Sequence, residues 1–464
     1  MTEKSKTELR IPARASVWYI GTSIITKALG ILMTPIFTRL LTGEEYGAYA
    51  LYMSYLGIGS LICASLFSGS VIYKGLKEHE ESDSFITSVI GVNSIFCLLV
   101  CLFLFAFSGF NIDFSILLFL QLLSDTIIGI YTVKCRYSYD YQKVAGVTLL
   151  TATLSPILSI LLIRGAGMGY HGRIYGLLIA TLIMAVPLLF KMLWRSPRLF
   201  EKEASKYIIA HSIPLLPHAI SGAVVAQADK LIISGILGAV ALAKYSVAHS
   251  VGVGLLFVVS ALGSALNPWI MRKLSQAKTE TVGELIRLLT FMLCSATLLL
   301  IALTPELMRF LAPREYSEAI GAILPIALAT IPSFAASVCT MGLVFSEKGG
   351  CASAASLISA AVNISANLIF VPLFDYTGAG ISLMLANIAL FGVSYLYLSK
   401  IAHADIIPIK SAASAFTVTA FWGILIALLY NQSWARMLLL IPPTVIGLGA
   451  LLESRRYIFE KKEL

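Results

Sequence analysis

The amino-acid sequence predicts an all-α, polytopic membrane protein with about fourteen transmembrane helices: two six-helix lobes with pseudo-two-fold symmetry plus an appended helix pair. Three observations predict it. Hydrophobic residues make up 58% of the chain and charged residues only 13%, with a mean hydropathy of +0.86, more apolar surface than a soluble protein could hide. The apolar residues form long runs separated by short polar turns. Lys and Arg gather between alternate runs.

The runs place helices at roughly 15–41, 48–73, 85–108, 114–133, 144–163, 174–190, 207–237, 240–268, 285–311, 319–346, 351–374, 377–399, 411–430 and 434–452. Residues 1–14 are polar and basic and read as a cytoplasmic tail; the run that follows is too long for a signal-peptide core and lacks a cleavage site. With that tail inside, it and the even-numbered loops hold 25 of the 34 Lys and Arg, and the outer loops and helix ends hold six. Both termini are therefore expected in the cytoplasm. The net charge of +9 thus reports topology, and no nucleic-acid partner is expected. The seven Cys show no CxxC pair and read as small core residues, so no metal or cofactor is expected.

A weak internal repeat supports the two lobes. Leu41-Thr42-Gly43-Glu44-Glu45-Tyr46 through Tyr49 resembles Leu237-Gly238 through Lys244-Tyr245, and Tyr170-His171-Gly172 resembles Tyr376-Thr377-Gly378. Each pair sits at a corresponding place in a six-helix block. Six crossings return the chain to its starting side, so the blocks should be related by an axis along the membrane normal, with a binding site between them. The expected segments are an N-lobe at 15–194 (helices 1–6), a basic cytoplasmic linker at 195–206 and a C-lobe at 207–400 (helices 7–12). Helices 13–14 follow at 411–452, then a cytoplasmic tail at 453–464.

Three cations lie inside apolar runs: Lys27, Arg39 and Lys230. Each costs about 2.5–3.5 kcal/mol on insertion scales near a helix centre, so such residues face a watery cavity or a partner. In helix 1, Ser23, Lys27, Gly30 and Thr34 share a face, and Pro35 should bend the helix before Arg39. In helix 7, Gln227, Lys230 and Ser234 share a face. The adjacent Asp229 reads either as a cavity group or as a neutralising neighbour of Lys230, and Pro214 and Pro217 should break that helix. Asp125 in helix 4 reads as a partner of Lys27 or as a coupling group. His249, on one face with Tyr245, is a hydrogen-bonded core residue or a proton relay. Asn363 and Asn367 serve interhelical hydrogen bonding or sugar contact. No GxSxG, HExxH or Walker motif is present, so no enzyme is expected.

The stretch Gly30 to Leu41 with Glu44-Glu45-Tyr46-Gly47-Ala48-Tyr49-Ala50, and Asp229-Lys230 with Leu237-Gly238 and Tyr245-Ser246-Val247-Ala248, resemble the lobe openings of bacterial polysaccharide repeat-unit (O-antigen, Wzx-type) flippases. These belong to the multidrug/oligosaccharidyl-lipid/polysaccharide exporter superfamily. The resemblance implies two V-shaped lobes in the cytoplasmic membrane that translocate an undecaprenyl-pyrophosphate-linked oligosaccharide by alternating access. Its implied partners are that lipid-linked oligosaccharide, membrane lipid and other polysaccharide-assembly proteins. Lys27, Arg39 and Lys230 are the cations expected to meet the pyrophosphate. A cation-coupled multidrug or metabolite antiporter of the same fold, and a lipid II flippase, are the alternatives.

Overall fold

A computed structural model describes residues 3–78, 82–108, 112–276, 279–401 and 406–459. Helices occupy nearly all of them, and there is no strand among the described residues. Two compact units divide at Ala223/Val224. The first contains α1 (Glu3–Leu40), α2 (Gly43–Ala64), α3 (Gly69–Glu78), α4 (Ser82–Ser108), α5 (Ile112–Tyr137), α6 (Tyr141–Ala166), α7 (Gly169–Arg195) and α8 (Lys202–Ser212). The division falls inside α9 (Leu216–Leu237). The second contains α10 (Ala239–Gly252), α11 (Gly254–Ser275), α12 (Thr279–Leu311), α13 (Ile320–Leu328), α14 (Thr330–Phe345), α15 (Gly349–Lys400), α16 (Ile409–Leu428), α17 (Ser433–Leu438) and α18 (Ile441–Phe459).

Twelve segments among the described residues are long and apolar enough to cross a membrane. One of them, α15, is two helices joined at a break where Phe374 and Asp375 leave helical geometry, Asp375 with φ +50°. Dividing it there, and adding α10–α11 as the expected eighth helix, recovers the fourteen-helix reading. Large apolar side chains such as Leu98, Leu99, Leu102 and Phe103 on α4 remain exposed, as bilayer-facing residues do. The protein is a multi-pass membrane protein.

Local chemistry explains most boundaries. Thr42 caps α2: its hydroxyl accepts from the Glu45 N–H (3.3 Å) and its N–H donates to Glu45 Oε2 (2.9 Å), so Gly43–Glu45 form a first helical turn rather than a loop. The prolines expected to break helix 7 do so. Ile213–Leu215 forms a 3-10 turn containing Pro214, and α9 starts at Leu216 with Pro217 in its first turn. At the other end of α1 the polar segment does not end the helix, which begins at Glu3.

The basic stretch expected as a linker is fastened to the first unit. Ser84 Oγ donates to Glu201 (2.7 Å) and Thr87 Oγ1 to the Arg198 carbonyl (2.9 Å). Nearby, Lys134 at the end of α5 pairs with Asp83 at the start of α4, and Arg195 at the end of α7 lies 3.9 Å from the same carboxylate. Those ends therefore share one side of the unit, as alternating crossings require. Six of the seven Cys are buried and all are free, in keeping with small core residues.

The helix pair ending each six-helix block is closed by glycine. A Cβ on Gly172 would meet the peptide joining Leu162 and Ile163, and one on Gly378 would meet the peptide joining Phe370 and Val371. The two units thus repeat one close backbone approach, at the places where the sequence repeat predicts it. One turn on, Gly176 leaves no room for a side chain against Ser159. Gly176→Leu should lower stability by about 1–3 kcal/mol through overpacking. Gly146→Ala, at a helical position with open space around it, should leave stability unchanged or slightly raised. Thermal unfolding of the two variants in detergent checks this, and equal melting temperatures would contradict the close approach.

Candidate functional site

Four of the sequence candidates in the second unit, Gln227, Asp229, Lys230 and His249, converge on α9 and α10. Their one-face spacing turns Gln227 and Lys230 together, and the Lys230 ammonium donates to Gln227 Oε1 (3.0 Å). Asp229 points elsewhere, as a neighbouring residue about 100° around a helix should. Its carboxylate, 1% exposed, accepts from the Lys230 backbone N–H (2.8 Å) and from the Tyr245 hydroxyl. His249 Nε2 lies 3.9 Å from the same carboxylate, and its ring lies 5.6 Å from that of Tyr245.

Asp229 is thereby engaged by neutral donors, and the Lys230 ammonium makes no ion pair among the described residues. Of the two readings of Asp229, the local Asp–Lys pair is not what forms. A partly buried cation keeps one neutral partner, and its positive charge is not cancelled within 4 Å.

The first unit treats its candidates differently. Asp125 accepts from Gln121 Nε2 (2.9 Å), and the Thr181 hydroxyl donates to Gln121 Oε1 (3.4 Å), a short polar chain joining α5 to α7. Lys27 is exposed, off the α1 face that Thr22, Thr26, Met33 and Phe37 turn inward. Helix α1 runs through Pro35, and Arg39 Nη1 donates back to the Pro35 carbonyl (2.8 Å). In the second unit, Asn363 and Asn367 on α15 are fully buried. Asn367 Nδ2 donates to the Asn363 carbonyl (2.9 Å) and to its side-chain oxygen (3.3 Å), and no surface reaches either side chain in this conformation.

Arg173, one of the six Lys and Arg that the charge pattern assigns to outer loops and helix ends, is not among the candidates the sequence offers. In the structure its Nη1 donates to Ser159 Oγ (2.9 Å) and Ser155 Oγ (3.3 Å), and its guanidinium lies over the rings of Phe37 (4.2 Å) and Tyr49 (5.0 Å). The spacing of Ser155 and Ser159 on α6, and of Gly172 and Gly176 on α7, was the available signal: two one-turn pairs of small residues on adjoining helices.

In the α9–α10 network the carboxylate is held by donors from two helices, whereas the ammonium has one neutral partner. Tyr245→Phe leaves a buried carboxylate short of a donor and should cost about 1–3 kcal/mol of stability. Lys230→Met removes a poorly solvated cation whose partner is neutral and should leave stability unchanged or higher. Thermal unfolding measures both, and a larger loss for Lys230→Met would mark the ammonium as structural.

The profile of a family described as polysaccharide biosynthesis protein matches residues 36–321. No curated protein matches the sequence. Among solved structures, a lipid II flippase MurJ in an inward closed conformation aligns with a TM-score of 0.67 at 15% identity, over 96% of this chain and 99% of that one. An inward-facing multidrug resistance MATE family transporter of the MOP superfamily aligns with a TM-score of 0.64 at 15% identity, over 82% and 96%. A MATE structure in a straight conformation gives 0.59 at 13% identity, over 85% and 96%. The fold is that of MurJ and the MATE transporters, and the chain belongs to the polysaccharide biosynthesis protein family.

Proposed function

We propose that this chain is a flippase that moves an undecaprenyl-pyrophosphate-linked oligosaccharide repeat unit across the bacterial cytoplasmic membrane by alternating access, for surface polysaccharide assembly. Family membership supports a role in polysaccharide biosynthesis, and a MurJ-like fold of membrane helices supports translocation rather than bond chemistry. The observation that carries the anionic substrate is Lys230, a partly buried ammonium whose hydrogen bond goes to a neutral amide while the neighbouring carboxylate is engaged elsewhere. Lys27 and Arg39 are the further cations proposed to meet the pyrophosphate during its passage. Both termini lie in the cytoplasm on this reading, and the inside-negative potential drives the anion outward.

Deleting the gene in its native bacterium tests the proposal. The expected result is loss of surface polysaccharide with accumulation of an undecaprenyl-pyrophosphate oligosaccharide, whose sugars mass spectrometry of the lipid extract identifies. Accumulation of lipid II instead, or loss of drug resistance with normal polysaccharide, would assign the chain to the alternative transporters. In the complemented strain, Lys27→Ala should reduce export at least about tenfold at normal protein level, and Lys27→Arg should retain part of it. Normal export by Lys27→Ala at native expression would remove this lysine from the site.

A further inference from the structure

The first unit contains a cavity that holds none of the cations picked from the sequence. It lies among α1, α2, α6 and α7, has a volume of about 340 Å³, and Arg173 lines it together with Thr34, Phe37, Tyr49, Ala152 and Ser155. Gly30 and Thr34, two of the four residues on the polar stripe of helix 1, reach it; Lys27 and Ser23 do not line it. Its volume falls within the range of about 300–1,000 Å³ typical of small-ligand sites.

We propose that this cavity binds the diphosphate end of a lipid, with Arg173 as its anion-binding residue. The assignment deepens the flippase reading and rests on it for the identity of the lipid. Four features argue for it.

Arg173 carries a fixed positive charge with no carboxylate within 4 Å among the described residues; its partners are two hydroxyls and two aromatic faces. Both serines bond the same nitrogen, Nη1. Nε is buried without an acceptor, and Nη2 makes no hydrogen bond to any described residue. The Nε–Nη2 side is one of the two edges through which a guanidinium takes two oxygens of a phosphate in parallel, and a shift of the side chain must open the buried Nε to the cavity for it to do so.

The setting is also built. Gly172 and Gly176 draw α7 onto α6, which brings Arg173 within reach of Ser155 and Ser159. Pro156, also in the lining, has no N–H, so the Ala152 carbonyl loses its helical donor at the cavity wall.

The second unit repeats the frame without the site. Matching the Leu162–Ile163 peptide to Phe370–Val371, and Gly172 to Gly378, sets Asn363 and Asn367 at the places of Ser155 and Ser159, and Ala379 at the place of Arg173. There the amides are sealed in the packing. The close helix approach is common to both units, but the cation belongs to one, so the fold does not require it.

Finally, the rest of the wall is mostly apolar or aromatic, with Leu29, Met33, Tyr46 and Leu177; its two threonines, Thr26 and Thr151, are neutral and their hydroxyls donate to carbonyls of their own helices. Such a wall strengthens the charge interaction and suits a group carried on a hydrocarbon chain better than a free, hydrated ion.

Native mass spectrometry of the full-length protein released from zwitterionic nanodiscs tests the site, with farnesyl diphosphate as probe and farnesol, inorganic pyrophosphate and phosphatidylglycerol as competitors. The expected result is an Arg173-dependent bound probe that none of the competitors displaces at equal concentration. Arg173→Gln should lower occupancy of that site about tenfold, and Arg173→Lys, which keeps charge but not the fork, should lower it less. Ala152→Leu fills the cavity and leaves Arg173 and its serines in place; it should abolish this bound probe at an unchanged melting temperature. Wild-type occupancy in both Arg173→Gln and Ala152→Leu would overturn the site, and displacement by inorganic pyrophosphate or phosphatidylglycerol at equal concentration would overturn its lipid-diphosphate assignment. If the deletion strain accumulates no lipid-linked oligosaccharide while binding follows Arg173, the transport reading falls and the site stands. The reverse pattern removes the site and leaves the transport reading.

Discussion

A charge inside a membrane segment must be given polar company, and the choice of company organises this protein. Arg436, fully buried, meets the Glu306 carboxylate; this pair fastens α17 in the appended helices to α12 of the second unit. Asp229 and Asp125 are held by a tyrosine hydroxyl and a glutamine amide. Lys230 and Arg173 receive only neutral partners. The first solution cancels charge and builds structure. The last leaves charge uncancelled, which costs insertion energy, and on the proposed reading that charge meets the anionic part of the substrate.

The second organising constraint is backbone proximity. Helices in a bilayer gain little from burying apolar surface against one another, so they associate where small residues let them approach closely. Gly172 with Gly176, and Gly378, do this at matching places in the two units. The appended pair follows the same rule, with Gly423 against Ile301 and Leu324, and Gly447 against Ser295. Hydroxyls add short bonds across these contacts, as Ser295 Oγ does to the Pro443 carbonyl (2.6 Å). The shared frame then leaves side chains at equivalent positions free to diverge, Arg173 in one unit and Ala379 in the other.

Much of this was legible in the sequence. Hydropathy located the apolar span of each helix to within about two turns, but it missed that the polar start of α1 continues the helix back to Glu3. Prolines 214 and 217 marked a real break, and the resemblance between Tyr170-His171-Gly172 and Tyr376-Thr377-Gly378 marked a real repeat, because Gly is needed wherever two backbones touch. Within α9, the spacing of Gln227 and Lys230 foretold their hydrogen bond. What sequence could not supply was the company each charge keeps. The Asp229 carboxylate turned to Tyr245, sixteen residues on, rather than to its neighbouring Lys230. Arg173 lay too close to a loop to look embedded, and only the packing of α7 against α6, α1 and α2 brings it to Ser155, Phe37 and Tyr49. Periodicity put Lys27 on the same stripe as Gly30 and Thr34, yet the cavity reaches only the latter two: Thr26 lines it one residue earlier, so Lys27 lies level with the cavity but on another side of the helix.

The central claim is that uncancelled cations serve the transit of a lipid-linked anion, and its most direct measurement is voltage-dependent translocation. Purified protein in proteoliposomes, loaded with a fluorescent polyprenyl-diphosphate saccharide in one leaflet, is given a potassium-diffusion potential of either sign. The potential is worth about 2.3 kcal/mol per charge per 100 mV, so transfer should be fast toward the positive side and slow toward the negative side. A neutral polyprenyl saccharide should move in neither case. Equal rates under both potentials, or equal movement of the neutral lipid, would contradict the account.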